Sequence, residues 1–180
     1  MNNGEMLEEL KERIENEVWD IRRDILEEYS NDGCIEAMYL LGESYYYIGD
    51  FEQAKSYFED AASQGYGQAK VKLGIIYETG VPFGVKEDFE KAWKLYLDAA
   101  DNDDCADAQY EIGRHYFYAI QVEEDCKKAF EYFSKAAEKN KGEALKMLAD
   151  CYRYGKGVEK NIEKALELLE MAYEEAVSRD

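Results

Sequence analysis

Histidine is nearly absent from this 180-residue chain: His115 stands alone, so no histidine-based metal set and no two-histidine dyad can be assembled. An ordinary structural or exposed role is expected for it, not catalysis. Proline is equally scarce, at one residue, while 46 % of the chain is hydrophobic, which excludes a disordered, proline-rich tract and favours a folded, helix-rich one. No apolar run approaches the length needed to cross a bilayer, and Met1-Asn2-Asn3-Gly4-Glu5 has no signal-peptide pattern. A soluble, cytoplasmic protein is the expectation. Cations are outnumbered, 22 against 41 anions, for a formal charge of −19. Such a field repels nucleic-acid phosphates and anionic membranes, so neither is expected as a partner.

The acidity is uneven: residues 1–65 hold 17 acidic and 5 basic side chains. This favours basic partners and also serves plain solubility. The four cysteines, Cys34, Cys105, Cys126 and Cys151, include no C-x-x-C pair, which excludes a zinc ribbon or thioredoxin-type site. Reduced, partly buried thiols are expected. Asp101-Asn102-Asp103-Asp104 lacks the central glycine and terminal glutamate of a calcium loop. Gly80 to Gly84 has no Lys-Ser/Thr sequel and starts no phosphate loop. No cofactor, metal or catalytic set is expected, and no enzyme.

What the chain has in abundance is a repeated phrase. Ala37-x-x-x-Leu41-Gly42-x-x-Tyr45 returns as Ala69-x-x-x-Leu73-Gly74-x-x-Tyr77, as Ala108-x-x-x-Ile112-Gly113-x-x-Tyr116, and as Ala144-x-x-x-Leu148-Ala149-x-x-Tyr152. The leading alanines are 32, 39 and 36 residues apart, a spacing of solenoid arrays. Offsets of four, five and eight fall on one helical stripe, so these residues form an inward face. Glycine in a helix costs roughly 1 kcal/mol against alanine, so its recurrence predicts close approach of a second helix.

That second helix starts after Asp50, Asp88, Asp125 and Asn161, each four residues before an alanine and each suited to cap free backbone amides. Asp50 with Gln53 has the form of a capping box. The bodies read Tyr57-Phe58, Tyr96-Leu97, Tyr132-Phe133 and Leu168-Leu169, and Gly65 ends one helix as a C-cap. Residues 5–32 carry an apolar stripe from Met6 to Leu26, predicting one long helix that caps the N-terminal face. Residues 162–178, with Glu and Lys on the outer side, are expected to close the other end.

Taken together, these phrases resemble the Sel-like repeat (SLR) family, relatives of the tetratricopeptide (TPR) repeats. Gly155-Lys156-Gly157-Val158 and Asn161-Ile162-Glu163-Lys164-Ala165 match the family loop and second-helix start well. Repeat two has a loop two residues longer, repeat three loses the loop glycines (Ala119-Ile120-Gln121-Val122), and repeat one passes directly from Tyr45 to Gly49-Asp50 like an ordinary TPR. The resemblance covers residues 34–175. It implies an all-α fold, a right-handed α-α superhelix (solenoid) of about four TPR/SLR-type helix pairs. Residues 1–33 would be the capping helix and 34–180 the repeats, a single domain overall.

The resemblance also implies a non-enzymatic adaptor or scaffold whose first helices line a concave surface. Positions there that do not point into the core are Glu36, Tyr39, Glu43, Tyr46 and Tyr47 in repeat one and Val71, Ile75 and Glu78 in repeat two. Repeat three adds Asp107, Tyr110, Arg114, Phe117 and Tyr118; repeat four adds Asp150, Arg153 and Tyr154. Tyrosine supplies broad apolar area plus a hydroxyl, so a protein or peptide with aromatic or aliphatic anchors and basic residues would fit. Any single ring could instead pack on an adjacent helix. Two alternatives stand beside this: an immunity or inhibitor protein neutralising a basic toxin or nuclease, and a hydrolase like the family's penicillin-binding branch. The cysteines lack that branch's paired spacing, and no Ser-x-x-Lys is present.

Overall fold

The second helices begin as their capping residues dictate. Asp50 accepts the Gln53 amide at 3.2 Å, Asp88 that of Lys91 at 3.0 Å and Asn161 that of Lys164 at 3.0 Å. Asp125 holds two amides, those of Lys127 and Lys128, at 3.1 and 3.0 Å. Each satisfies donors that the first helical turn leaves without an intrahelical acceptor. The same four residues also close the repeat from the other side. Their own amides donate to Tyr45, Tyr77, Tyr116 and Tyr152 carbonyls at 2.9, 2.7, 3.1 and 2.9 Å. Loops of different lengths are therefore anchored by one shared hydrogen bond.

The computed structural model describes residues 3–14, 19–81, 84–139 and 142–177, and among these it holds ten α-helices and no strand. Two compact units divide the chain, residues 1–95 and 96–180, with the boundary inside α6 (Phe89–Asp101). The first unit contains α1 (Asn3–Ile14), α2 (Trp19–Asn31), α3 (Ile35–Tyr47), α4 (Phe51–Ser63) and α5 (Gly67–Thr79). The second contains α7 (Ala106–Tyr118), α8 (Cys126–Ala137), α9 (Gly142–Tyr154) and α10 (Ile162–Val177). Each pair packs on itself, α3 on α4, α7 on α8 and α9 on α10; α5 then lies on α4, and α9 on α8.

Close approach within a pair depends on the predicted glycines. A Cβ added at Gly42 would lie 2.6 Å from the ring of Phe58, and one at Gly113 would lie 2.6 Å from that of Phe133. Both rings are fully buried. One turn on, Tyr45 stacks on Tyr57 and Tyr116 on Tyr132, with centroids 5.5 and 6.2 Å apart. In repeat four Ala149 replaces the glycine and Leu169 the phenylalanine, so the small and large partners change together.

Two expectations need correction. The single helix expected over 5–32 is two helices, with residues 15–18 outside the described ones. Met6 and Leu10 share a core with Ile25, Leu26, Tyr29, Ala37 and Leu41. In a straight helix Leu10 and Ile25 would be about 22 Å apart, at 1.5 Å per residue, so only a fold-back buries both. Second, α10 does not present an outer side of Glu and Lys alone. Ile162, Leu166, Leu169, Tyr173 and Val177 are 41 to 71 % exposed. Repeat three, which lacks the loop glycines, still takes left-handed backbone at the same places. Ala119 and Gln121 take φ of 53° and 54°, beside 71° and 75° at Gly155 and Gly157.

Candidate functional site

On the first helices most of the positions that the repeat register selects lie at or near the surface, but two do not. In α5 the apolar Val71 is 5 % exposed and in α7 Phe117 is 7 % exposed, so both belong to the core and neither offers a partner any surface. Tyr39 leans on Phe58 and Tyr66, at 5.8 and 5.1 Å between centroids, and Tyr110 on Phe133 at 6.0 Å. The cause is shared: these rings lie over the large second-helix residue that the glycine admits. Tyr46 packs edge-on against Phe51 at 5.3 Å.

The remaining residues lie at or near the surface. Tyr47 is 91 % exposed, with Tyr118 and Tyr154 also exposed. Ile75, Glu78, Asp107 and Asp150 are half-buried. Glu36 accepts a hydrogen bond from the Tyr66 hydroxyl, and Arg114 meets Glu111 at 2.5 Å. The Arg153 guanidinium lies 5.3 Å from the centre of the Tyr154 ring.

Three of the sequence-predicted residues converge on one cavity in the first unit. It has a volume of about 550 Å³ and takes Glu43, Tyr46 and Tyr47 from α3, along with Leu40 and Ser44. From α2 come Arg22, Arg23 and Leu26, and from α5 comes Lys72. The Lys72 ammonium is 2.6 Å from the Glu43 carboxylate, both side chains being about one-third exposed. Three cations and one carboxylate that is already paired thus line this cavity, so it is not the acidic groove that the overall charge suggests.

Lys72, Leu40, Ser44 and the α2 residues were not among those expected. A signal for Lys72 was present: Val71 lies beside Ala69 and Leu73, and of two neighbouring residues the apolar one turns inward. Nothing local could place Arg22 and Arg23, because only the packing of α2 on α3 brings them there.

His115 is structural. It is fully buried, its Nδ1–H donates to the Ile120 carbonyl at 2.9 Å, and its ring lies 5.7 Å from that of Tyr96. The cysteines are unbridged; burial pushes the Cys151 thiol up to about 12 and raises that of Cys105. Among the described residues no group of three His, Cys, Asp or Glu side chains is placed to hold a metal ion. None of the described helices is long and apolar enough to cross a membrane.

Comparison with known proteins matches the second, third and fourth helix pairs to the Sel1 repeat, over residues 67–104, 106–141 and 142–176. Residues 36–66 match a tetratricopeptide repeat, as the missing loop implied. A Sel1 repeat protein from Oxalobacter formigenes superimposes with a TM-score of 0.73 at 27 % identity, over 86 % of this chain and 62 % of that one. A protective antigen of uropathogenic Escherichia coli displaying an SLR fold gives 0.71 at 30 % identity, over 84 % of this chain and 33 % of the other. A sel1-like repeat-containing protein of Acanthamoeba polyphaga mimivirus is 34 % identical over 97 residues. That match takes in 53 % of this chain and only 17 % of the viral protein.

Proposed function

The chain belongs to the Sel1 repeat family, whose repeats are generally protein-interaction modules, and on that premise we infer that it captures a protein or peptide without catalysing a reaction. The observation that carries this is the α2/α3/α5 cavity, where Tyr46, Tyr47 and Leu40 offer apolar area within reach of Arg22, Arg23 and Lys72. Aromatic and aliphatic anchors in a desolvated pocket dominate the energetics of interfaces. The complement is an extended segment with one large apolar side chain and carboxylates next to it. Lys72 would exchange its bond to Glu43 for one to the ligand, while the guanidinium groups offer forked donors to a carboxylate.

Selection of a random peptide display library on the immobilised protein tests this. Enriched peptides should share an apolar residue flanked by Asp or Glu. They should lose about tenfold or more in affinity with a Tyr46→Ala/Tyr47→Ala variant, since buried aromatic anchors are typically worth that much. Both rings lie at or near the surface, so the variant should keep its circular dichroism spectrum. Enrichment of peptides indifferent to these substitutions would move the site elsewhere.

A further inference from the structure

The outer face of α10 carries two parallel rows. Ile162, Leu166, Leu169 and Tyr173 follow one another at four, three and four residues, so they align along one side of the helix. Each is followed by a glutamate, so Glu163, Glu167, Glu170 and Glu174 form a second row beside the first. All eight side chains are exposed. Leu166, Leu169 and Tyr173, with Glu170 and Glu174, also line a depression of about 320 Å³, room for an inserted side chain.

Within the same unit α8 shows what such a row is for. Counted from the caps Asp125 and Asn161, the residues of α8 equivalent to Leu166, Leu169 and Tyr173 are Phe130, Phe133 and Ala137. None of these is exposed: on α9, Tyr152 meets Phe130 edge-on at 5.5 Å, and Met147, Leu148 and Cys151 share a core with Phe133, which α7 covers from its other side. The uncovered row of α10 therefore has the shape that accepts a helix. The flanking row differs in chemistry. In α8 it reads Lys127, Glu131, Ser134 and Glu138, whereas in α10 all four positions are glutamate.

We propose that this face docks an amphipathic helix of a partner protein, with its apolar stripe against Ile162, Leu166, Leu169 and Tyr173 and lysines or arginines opposite the glutamate row. A second copy of this chain is a poor occupant. It would bring four more carboxylates to the same interface, on a molecule already carrying −19. This surface is separate from the α2/α3/α5 cavity and does not depend on it.

The probe is a synthetic helix patterned after the element that covers α8: residues 142–154 with Glu143→Lys, Asp150→Lys and Cys151→Ala. Titrated into the isotope-labelled 180-residue chain, it should shift the amide resonances of α10 at peptide concentrations below about 1 mM. Leu166→Glu should weaken it about tenfold, from one lost apolar contact and one added charge, and Tyr173→Glu should do the same if the first variant folds poorly. Replacing Glu170 and Glu174 by Lys should weaken it about threefold per site at low salt and remove its salt dependence. A probe with Lys146 and Arg153 also turned to Glu should not bind. The proposal is overturned by shifts that avoid α10, by equal binding of a scrambled peptide of the same charge, or by an unchanged Leu166→Glu affinity. It is also overturned if sedimentation reveals a dimer of the wild type that Leu166→Glu dissolves, since the occupant would then be a second copy.

Discussion

Placing a methyl group at Gly113 tests whether close helix approach, rather than backbone flexibility, explains the repeated glycine. An added Cβ would sit 2.6 and 2.7 Å from two ring carbons of Phe133. Carbon atoms in ordinary contact are about 3.5–4.0 Å apart, so the overlap approaches 1 Å. The ring has little room to retreat: it is fully buried, with Tyr110 and Phe117 each 6.0 Å away between centroids. Overpacking costs about 1–3 kcal/mol, and an overlap this large against a ring with no room belongs at about 2–3 kcal/mol, against about 1 kcal/mol that alanine returns in helix propensity. Gly113→Ala should therefore be less stable than wild type by about 1–2 kcal/mol, and each kcal/mol lowers the melting midpoint of a chain this size by about 2–4 °C. Phe133→Leu alone should also destabilise, by about 1–2 kcal/mol, through the cavity it leaves. The double variant recreates the Ala149/Leu169 combination of repeat four and should recover at least about 1 kcal/mol relative to the sum of the two. Urea titration followed by circular dichroism gives all four corners of the cycle. Gly113→Ala as stable as wild type, or singles that add within about 0.5 kcal/mol, would refute steric exclusion as the reason for the glycine.

The loop of repeat three should tolerate what its helix does not. Ala119→Gly and Gln121→Gly relieve left-handed backbone at φ of 53° and 54°, and each should raise stability by about 0.5 kcal/mol after the entropy of glycine is subtracted; lower melting midpoints would contradict this. Asp125 is held below the usual carboxylate range by the amides of Lys128 and Lys127 and by the nearby Lys128 charge. Its folded pKa is depressed, so its contribution is present above the unfolded value of about 3.9 and is lost as pH falls through the folded one. The gap in melting midpoint between wild type and Asp125→Asn should thus shrink as pH falls from about 5 to about 2, and a constant gap would count against the cap. For the thiols, burial first and then Glu124 raise Cys126, while burial lifts Cys151 to about 12. Iodoacetamide at about pH 8 should label half-buried Cys126 first, faster in Glu124→Gln, and reach Cys151 only on unfolding; mass spectrometry reads the order.

Much of the fold was legible along the chain because its determinants are local. The Ala-x-x-x-Leu-Gly-x-x-Tyr stripe, the caps Asp50, Asp88, Asp125 and Asn161, and the TPR-like first pair each require only residues within two turns of one another. Helical periodicity and capping act over that range, so the sequence by itself determined the repeat pairs after residue 33 and where their helices start, but not the split of the N-terminal helix into two. It did not determine how each helix is rotated against its partner. Val71 and Phe117 point inward, and Lys72 rather than Val71 lines the cavity. For Phe117 the inward partner is the Phe133 ring, which fills the space beside Gly113. The cavity depends on contacts between residues as far apart as Arg22 and Lys72, and the cation excess there is invisible in a total charge of −19. Likewise the row from Ile162 to Tyr173 is an ordinary core stripe in one dimension. Only the packed structure, in which α9 lies on α8 and no described helix covers the outer row of α10, makes that stripe a surface.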